Sequence, residues 1–254
     1  MKAKILLLLF AVLTLFSCKT DRDDDNNTPP IPAEKRYLSS VTDQDGKTVV
    51  SVEYYADKKI KKYNLDITNI SFRYIYDNNG RVSSQILSSP NANMACNYTY
   101  DANGKISSFA YDDEGETKNI PVTYNQAENS YTYTSLLGAI KVFIDAEGNC
   151  TKFINENTSF YFFYENEKSG PLRNGGNMSL TNYISYLPMF LYQSQVNTFS
   201  VPLEEVNTTG TITFTNEYDS ENFLVKSKNT TVTSDDNGNP ETSVTTYTYH
   251  YTEL

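Results

Sequence analysis

The sequence predicts an all-β protein, an antiparallel meander of hairpins that forms a curled sheet or open barrel, with one short helix near residues 180–191. Short stretches rich in β-branched and aromatic residues recur along the chain, as strands require. Turn signals built from Asp, Asn and Gly separate these stretches. Because an all-β chain of this length commonly forms one unit, we assign residues 37–254 to a single β domain.

The chain opens with a segment typical of export. Two lysines precede a largely apolar run, residues 5–16, which is too short to cross a hydrocarbon core that needs about 20 residues. We therefore predict that residues 1–17 are a signal peptide. A leucine three positions before Cys18 and a serine directly before it resemble the lipobox of bacterial lipoproteins. The resemblance implies that Cys18 becomes the first residue and carries acyl chains such as palmitate; the alternative is an ordinary secretory signal in which Cys18 is incidental.

Residues 18–36 are predicted to be the lipidated cysteine and a disordered tether. This acidic and proline-rich composition cannot bury enough apolar surface to fold. The acidic run at residues 19–25 resembles an export tag that some bacteria place after the lipidated cysteine, which implies display on the cell surface; a solvated tether is the alternative. Lys19 follows Cys18, so the Asp that often marks inner-membrane retention is missing. The predicted location is the outer membrane, on its periplasmic or external face.

The net charge narrows the classes of partner. The formal charge is −10, and loss of the leader removes two lysines and no acids, which gives −12. An acidic chain without a sustained basic patch is not expected to bind nucleic acid. It is equally poorly suited to anionic lipid, so the predicted membrane contact is the lipid anchor on Cys18 alone. A glycan or protein partner stays open.

An internal repeat organises the β domain. Residues 74–82 (YIYDNNGRV) recur as residues 98–106 (YTYDANGKI). Looser copies stand at residues 109–115, 142–148 and 216–224, and shorter relatives at 42–46 and 234–238. The shared pattern is aromatic-x-aromatic-Asp-x-x-Gly-x-aliphatic, which predicts a strand, a tight turn and a returning strand.

Each part of this pattern has a physical reason. Alternating aromatics place their side chains on one face of a strand. Asp accepts a hydrogen bond from the backbone of the turn that it opens, and Gly supplies the positive φ of a type I turn closed by a bulge. The copy at residues 219–222 has Asn222 at the Gly position, the next most tolerant residue for this geometry. The predicted structural turn residues are Asp77, Gly80, Asp101, Gly104, Gly115, Asp145, Gly148 and Asp219.

Asp-rich turns that end in Gly also suggest calcium loops, but the match fails. An EF-hand needs acids at alternate positions before its Gly and a Glu at its twelfth position. Residues 77–80 and 101–104 offer one acid each. The sequence also has no CxxC motif or Cys/His cluster, so we predict neither a metal site nor a cofactor.

The repeat resembles the YD-repeat families, whose type unit reads Tyr-Asp-x-x-Gly-Arg-aliphatic. Residues 76–82 match that unit completely, and residues 100–106 differ only by Lys105. Together with the leader, the chain resembles the small YD-repeat (Rhs-like) lipoproteins of Bacteroidetes-type bacteria, among which domains of unknown function are common. The resemblance implies a β-sheet protein at the outer membrane, with no catalytic residues to carry over. It departs from the long Rhs toxins, because this chain is too short to build their enclosing shell.

Further strands are predicted between and after the repeats, and one segment breaks the rhythm. The strand signals lie at residues 49–55, 131–134, 160–164, 211–214 and 245–251. Helical spacing is carried by Leu180, Tyr183, Ile184, Leu187 and Leu191. Ser179 is a candidate cap for this helix, and Pro188 should kink or end it.

The residues that could perform chemistry are few. His250 is the sole histidine, and strand alternation places it opposite its tyrosine neighbours, so we expect an exposed strand residue and no catalytic site. Cys96 and Cys150 could pair in an oxidising compartment, or they could be two separately buried thiols. We expect no enzyme activity.

The abundance of Tyr and Phe leaves two interpretations of function. Tyr can stack on flat ligands such as sugars, although cross-strand packing uses the same residues at the same alternation. The first hypothesis is a non-catalytic surface lipoprotein with a binding or interaction role. The alternative is a carrier of a hydrophobic or carbohydrate ligand in a cleft between the sheet and the helix, and an enzyme comes last.

Overall fold

The computed structural model describes residues 36–254 except 92, 114, 136–137, 157, 166–167, 176–200, 208–209 and 235–238. The predicted leader, Cys18, the helix near residues 180–191 and all of the predicted tether except Arg36 lie outside the described residues. None of the described elements is a helix long and apolar enough to span a membrane.

The described part of the domain consists of seventeen strands. They are β1 (Arg36–Asp43), β2 (Thr48–Tyr54), β3 (Ile60–Leu65), β4 (Ile70–Tyr76), β5 (Val82–Ser88), β6 (Asn93–Tyr100), β7 (Ile106–Asp113), β8 (Glu116–Pro121), β9 (Thr123–Asn125), β10 (Ser130–Ser135), β11 (Gly138–Ile144), β12 (Cys150–Ile154), β13 (Ser159–Glu165), β14 (Val201–Asn207), β15 (Gly210–Tyr218), β16 (Leu224–Ser234) and β17 (Pro240–Glu253). The prediction of an all-β fold is therefore confirmed.

The strands form one antiparallel meander that curls back on itself. Each strand from β1 to β8 and from β9 to β17 pairs with the next one along the chain, and β17 also pairs with β1. No ladder joins β8 to β9 among the described residues. These two strands are separated only by Val122, whose N–H donates to the Ser107 carbonyl at 2.8 Å. The two edges of the sheet are thus consecutive pieces of one bent segment, so the antiparallel curled sheet that the repeats predict is confirmed.

Up-and-down topology sorts the turns between the two ends of the sheet. The turns that follow β2, β4, β6, β9, β11 and β15 lie at one end, which we call the turn end. The strand β1 also begins there, since Arg36 pairs with Glu253 at the close of β17. The two complete copies of the repeat therefore present their turns at the same end of the domain.

The turn after β4 shows the local geometry of the repeat. The Asp77 N–H donates to the Arg81 carbonyl at 2.8 Å, and the Gly80 N–H donates to the Asp77 carbonyl at 2.9 Å. The Asp77 carboxylate also accepts from the N–H groups of Asn79 and Arg81, each at 2.9 Å. Gly80 has a φ of 76°, in the left-handed region, and a bulge follows where Tyr76 pairs with Val82. One side chain thus satisfies two backbone donors that the turn leaves free.

The other turns at this end repeat the arrangement with small variations. Gly104 and Gly148 have φ values of 75° and 97°, and Asn222 takes the same role at 65°. Lys58, in the turn after β2, has a φ of 69°. Left-handed residues other than Gly are thus tolerated where the turn geometry is held by the flanking strands.

Gly115 lies in a different kind of turn, at the opposite end of the sheet. The strand β7 continues through Asp112 to Asp113, which pairs with Glu116 of β8, so only two residues connect the strands. Gly115 has a φ of 86°, and its N–H donates to the Asp112 carboxylate at 2.9 Å. The Asp-x-x-Gly spacing is present, but here the Asp closes a tighter turn from within the strand.

The concave face of the sheet forms the core. Its largest fully buried side chains are Tyr63, Tyr74, Phe72, Phe153, Leu38, Ile60, Ile106, Leu224 and Gln85. Cys96 and Cys150 are buried thiols that are not joined in a disulfide, so the structure favours the second of the two alternatives for these cysteines. Gln85 is satisfied inside the core because it accepts a hydrogen bond from the Tyr98 hydroxyl at 2.9 Å.

Residues 168–175, which we call the crossing segment, pass over part of the turn end. Ser169 forms a parallel bridge with Phe223, and the Gly175 carbonyl accepts from the Ile60 N–H at 3.1 Å. The side chain of Leu172 is buried against the core. The crossing segment therefore covers the turn end beside β2, β3 and β16 and leaves the region of β4 to β12 to the site described next.

Candidate binding cleft

Tyrosines at or near the ends of five strands donate to a carbonyl of the strand before. The Tyr76 hydroxyl donates to the Ile60 carbonyl at 2.8 Å, and the Tyr100 hydroxyl donates to the Val82 carbonyl at 2.6 Å. Further bonds of this kind join Tyr54 to Leu38, Tyr164 to Cys150 and Tyr251 to Leu224. Each accepting carbonyl lies at or near the start of a strand, so the second aromatic of the repeat fastens neighbouring hairpins together.

In the two complete repeats, the basic residue after the turn glycine makes the complementary contact. Arg81 lies 4.3 Å from the ring centroid of Tyr100, in the next hairpin, and Lys105 lies 4.4 Å from that of Tyr124. A cation over a ring face at these distances is attracted by the ring quadrupole. The Arg or Lys of the repeat therefore holds the next tyrosine, while its own tyrosine holds the preceding strand.

A cleft of about 350 Å³ opens at the turn end between four of the turns. The turns after β4 and β6 form one wall, and the turns after β9 and β11 form the other. Its lining residues are Gly80, Arg81, Val82, Tyr100, Gly104, Lys105, Ile106, Asn129, Tyr131, Ile144, Asp145, Ala146 and Gly148. The volume is within the range of about 300–1,000 Å³ that is typical of small-molecule sites.

Two cations stand on the first wall in different electrostatic settings. Arg81 is held by Asp77, with 2.8 Å from Nε and 2.7 Å from Nη2 to the same carboxylate oxygen. The hydrogen bond from the Arg81 backbone N–H and the guanidinium contacts lower the pKa of the Asp77 carboxyl. Lys105, in contrast, has no carboxylate within 4.0 Å among the described residues. Its ammonium is therefore an uncompensated charge at the rim of the cleft.

Tyr131 contributes a hydroxyl without a partner. Its side chain belongs to β10 and is only 4% exposed. Its ring lies 4.9 Å from that of Tyr124, and its hydroxyl forms no hydrogen bond with any described residue. Burial, together with the neighbouring Tyr124, raises the pKa of Tyr131 to about 12, so the hydroxyl keeps its proton at neutral pH. The ring is buried while the hydroxyl reaches the solvent of the cleft, so the hydroxyl can donate to or accept from a ligand there.

Asn129 and Asp145 build the second wall. Asn129, with a φ of 48°, donates from Nδ2 to the Ile144 carbonyl at 2.6 Å, and its Oδ1 accepts from the Tyr124 hydroxyl at 2.9 Å. The Asp145 carboxylate accepts from the N–H and the Nδ2 of Asn149 at 2.7 and 2.9 Å. Asn129 thus positions the wall, whereas Asp145 has no cation partner among the described residues and retains acceptor capacity.

The structure places the sequence-predicted turn residues in three surroundings. Gly80, Gly104, Asp145 and Gly148 line the cleft, with Asp77 and Asp101 in the same turns. Gly115 lies at the opposite end. Asp219 lies beside the crossing segment, where it pairs with the buried guanidinium of Arg36. The cleft is therefore formed by four separate turns that only the fold brings together.

Two features of the cleft escape sequence reasoning. Tyr131 and Asn129 belong to a hairpin that does not match the repeat, although an Asn directly before a strand is a recognisable left-handed turn signal. His250 lies on the exposed face of β17, with its Nε2 3.1 Å from the Thr42 hydroxyl, and does not line the cleft. Among the described residues, no group of three or more His, Cys, Asp or Glu side chains is arranged to hold a metal ion.

Comparison with known proteins supports the fold. No protein-family model and no curated protein matches the sequence. A porin-like protein from Bacteroides uniformis is similar in structure, with a TM-score of 0.50 and 12% identity over 88% of this chain and 98% of that one. A TcdB2–TccC3–Cdc42 structure matches with a TM-score of 0.22 and 11% identity over 82% of this chain and 11% of that one, and this match supports no argument. At such identities, the likeness to the porin-like protein shows the fold of this chain.

Proposed function

We propose that this chain is a non-catalytic lipoprotein of the small YD-repeat type, anchored at the outer membrane or cell surface through Cys18, and that it binds a small polar ligand. The location rests on the lipobox-like residues before Cys18 and on the acidic tether. The likeness in fold to a porin-like protein is consistent with an envelope protein.

The cleft at the turn end supports the binding role. It combines the unpartnered hydroxyl of Tyr131 with the uncompensated ammonium of Lys105, and both groups gain from a ligand that supplies their missing contacts. Most of the described tyrosines belong to the hydrophobic core or pack against it, so cross-strand packing accounts for them better than a sugar-stacking surface does.

Absence of catalysis is part of the proposal. The single histidine of the sequence stands outside the cleft, where it cannot serve as a general base for a ligand bound there. The cleft carboxylate of Asp145 is held by Asn149 and has no second carboxylate beside it in the lining, as an acid/base pair would require.

The test is a thermal-shift screen of the full-length protein in detergent against monosaccharides, sugar acids and small carboxylates. A ligand present at about 100 times its Kd should stabilise the protein by about 2.7 kcal/mol, seen as a higher Tm. Mass spectrometry should then recover that ligand chemically unchanged. Conversion of the ligand into a product would contradict the non-catalytic assignment.

A further inference from the structure

Resting on the proposed binding function, we infer that the cleft recognises a hydroxylated carboxylate, such as a uronic acid, either free or as the terminal unit of a glycan. Arg81 and Lys105 on one wall supply cations for the carboxylate of the ligand. Tyr131 and Asp145 supply hydrogen-bond partners for its hydroxyls. The inference depends on the placement of Arg81, Lys105, Tyr131 and Asp145.

The guanidinium of Arg81 keeps donors for a ligand. Asp77 occupies Nε and Nη2, whereas Nη1 points towards the next turn, 3.7 Å from where a Cβ on Gly104 would stand. No described residue accepts from Nη1. The guanidinium lies over the ring of Tyr100, which limits its rotation and keeps Nη1 at the wall of the cleft. There Nη1 can donate to a carboxylate.

Lys105 adds a second positive charge on the same wall. The protein as a whole has a net charge of −10, and five of the twelve described lysines form ion pairs. Of the seven that do not, Lys105 is the one that lines the cleft. Lys105 has no carboxylate within 4.0 Å among the described residues, and its nearest described partner is the ring of Tyr124. A cation left without an anion inside a concave site favours an anionic ligand group.

The two remaining polar groups, Tyr131 and Asp145, favour a ligand that carries hydroxyls over an anion that has none. The Tyr131 hydroxyl can both donate and accept, and the Asp145 carboxylate can only accept. The Asp145 carboxylate can accept hydrogen bonds from the hydroxyls of a sugar, whereas a simple anion such as acetate has no donor to offer it. Cations on one side and an acceptor on the other therefore match a molecule with an acid at one position and hydroxyls at others.

Size and surface exclude other modes of sugar binding. A volume of about 350 Å³ is at the lower end of the range for ligand pockets, which suits a single sugar unit better than a long stretch of polymer. The faces of Tyr100 and Tyr124 that carry Arg81 and Lys105 are not free for stacking. Recognition is therefore carried by hydrogen bonds and charge.

The experiment is titration calorimetry of the full-length protein in detergent with D-galacturonate, D-galactose and acetate. D-galacturonate should bind more tightly than either of the other two. Lys105→Gln should weaken galacturonate binding by about tenfold, as the loss of one charge-assisted contact predicts, and should weaken galactose binding by a smaller factor. Lys226→Gln removes a cation that pairs with Glu217 on the sheet surface, outside the cleft, and should leave galacturonate binding unchanged.

Tyr131→Phe separates binding from folding. The hydroxyl has no partner among the described residues, so a purely structural role predicts no change in any measurement. We expect lower affinity for galacturonate at an unchanged Tm. Equal affinity of the wild type, Tyr131→Phe and Lys105→Gln proteins for galacturonate would overturn the inference.

Two further comparisons are needed. One distinguishes a free acid from the terminal unit of a glycan, and the other distinguishes failure of the acid specificity from failure of the binding function. Oligogalacturonate that binds as tightly per molecule as the monomer would assign the terminal unit of a glycan, whereas binding of the monomer alone would assign the free acid. Tighter binding of galactose than of galacturonate would refute the acid while the binding function stands. No binding of any polar ligand in the thermal-shift screen would refute both.

Discussion

At the scale of single residues, the turn glycines meet a conformational demand that few side chains can satisfy. Gly104 has a φ of 75°, a value at which L side chains are strained. A Cβ at this position would meet only ordinary contacts, the nearest at 3.7 Å from Arg81 Nη1. Substitution of Gly104 therefore measures backbone strain without a steric clash.

We predict that Gly104→Val lowers the free energy of unfolding by about 1–3 kcal/mol, because a β-branched residue is strained in the left-handed region. Gly104→Asn should cost less, since Asn tolerates this region, as Asn222 does in the turn after β15. Urea denaturation of the two variants and the wild type provides the measurement. Equal stability of the Val and Asn variants would show that φ does not limit this turn.

The tyrosine hydroxyls make a second prediction at this scale. Tyr100→Phe removes the bond to the Val82 carbonyl and should lower the free energy of unfolding by about 0.5–1.5 kcal/mol. Tyr161→Phe is the matched control, because Tyr161 is 40% exposed on β13 and its hydroxyl has no partner among the described residues. Chemical denaturation should find the control unchanged, and an equal loss in both variants would refute the fastening role.

The same residues show which contacts the sequence predicts and which it does not. Asp and Gly announce a turn because their effects are local, within four residues of chain. The acceptor of the Tyr100 hydroxyl is 18 residues away, and the ring that Arg81 covers belongs to the following hairpin. Such partners depend on the register of the sheet, which single-residue preferences do not specify.

At the scale of elements, Gly210 lies where β15 begins its pairing with β16. A Cβ on Gly210 would stand 2.2 Å from the Val232 carbonyl oxygen, closer than any real contact and against backbone rather than a movable side chain. The absence of a side chain at Gly210 is therefore a condition for the pairing of these two long strands.

We predict that Gly210→Ala destabilises the protein by about 1–3 kcal/mol, because the start of β15 must move away from β16 to admit the methyl group. Hydrogen exchange should rise at the paired end of these strands, where Gly210 faces Thr233. Thr213→Ala, at an exposed position of the same strand, serves as the control and should leave exchange unchanged. Unaltered exchange in the Gly210 variant would mean that the approach is readily relaxed.

The bent segment β8–β9 shows what sequence reasoning could not reach at this scale. Strand and turn signals predict the hairpins well, because each depends on neighbouring residues. They do not indicate that residues 116–121 pair with β7 while residues 123–125 pair with β10. The walls of the cleft come from hairpins on the two sides of this bend, so the cleft could not be predicted although four of its lining residues were singled out as turn residues.

At the scale of the whole molecule, buried tyrosines make stability depend on alkaline pH. Burial raises the pKa of Tyr131 to about 12 and raises that of Tyr63 and Tyr249 as well, from an ordinary value of 10.0. Above pH 10 the unfolded chain ionises these groups while the folded chain keeps their protons, so unfolding is favoured.

We therefore predict that the stabilisation contributed by these protonated tyrosines is complete below pH 10. It should be lost progressively as the pH rises from 10 to 12. The Tm should fall over this interval in circular dichroism melts, and tyrosinate absorbance should rise in the same step as unfolding. Gradual ionisation of all tyrosines near pH 10 in a still-folded protein would contradict the burial of these hydroxyls.

The anchor yields the last prediction. Cys18→Ala should leave the protein unacylated and release it from washed membranes, since an acidic chain offers no second attachment to anionic lipid. Immunoblots of membrane and soluble fractions provide the measurement. The control is Cys96→Ala, which replaces a buried thiol of the domain and should stay membrane-bound. Retention of the Cys18 variant at wild-type levels would refute lipid anchoring.

The contacts between hairpins bear on how such a sheet can change in length. Each complete unit brings a tyrosine that reaches backwards and a cation that reaches forwards, as Tyr76 with Arg81 and Tyr100 with Lys105 do. A hairpin gained by tandem duplication arrives with both connectors, and a hairpin lost by deletion leaves matching connectors on either side. Modular growth and shrinkage by whole hairpins is therefore open to this architecture without redesign of the neighbouring units.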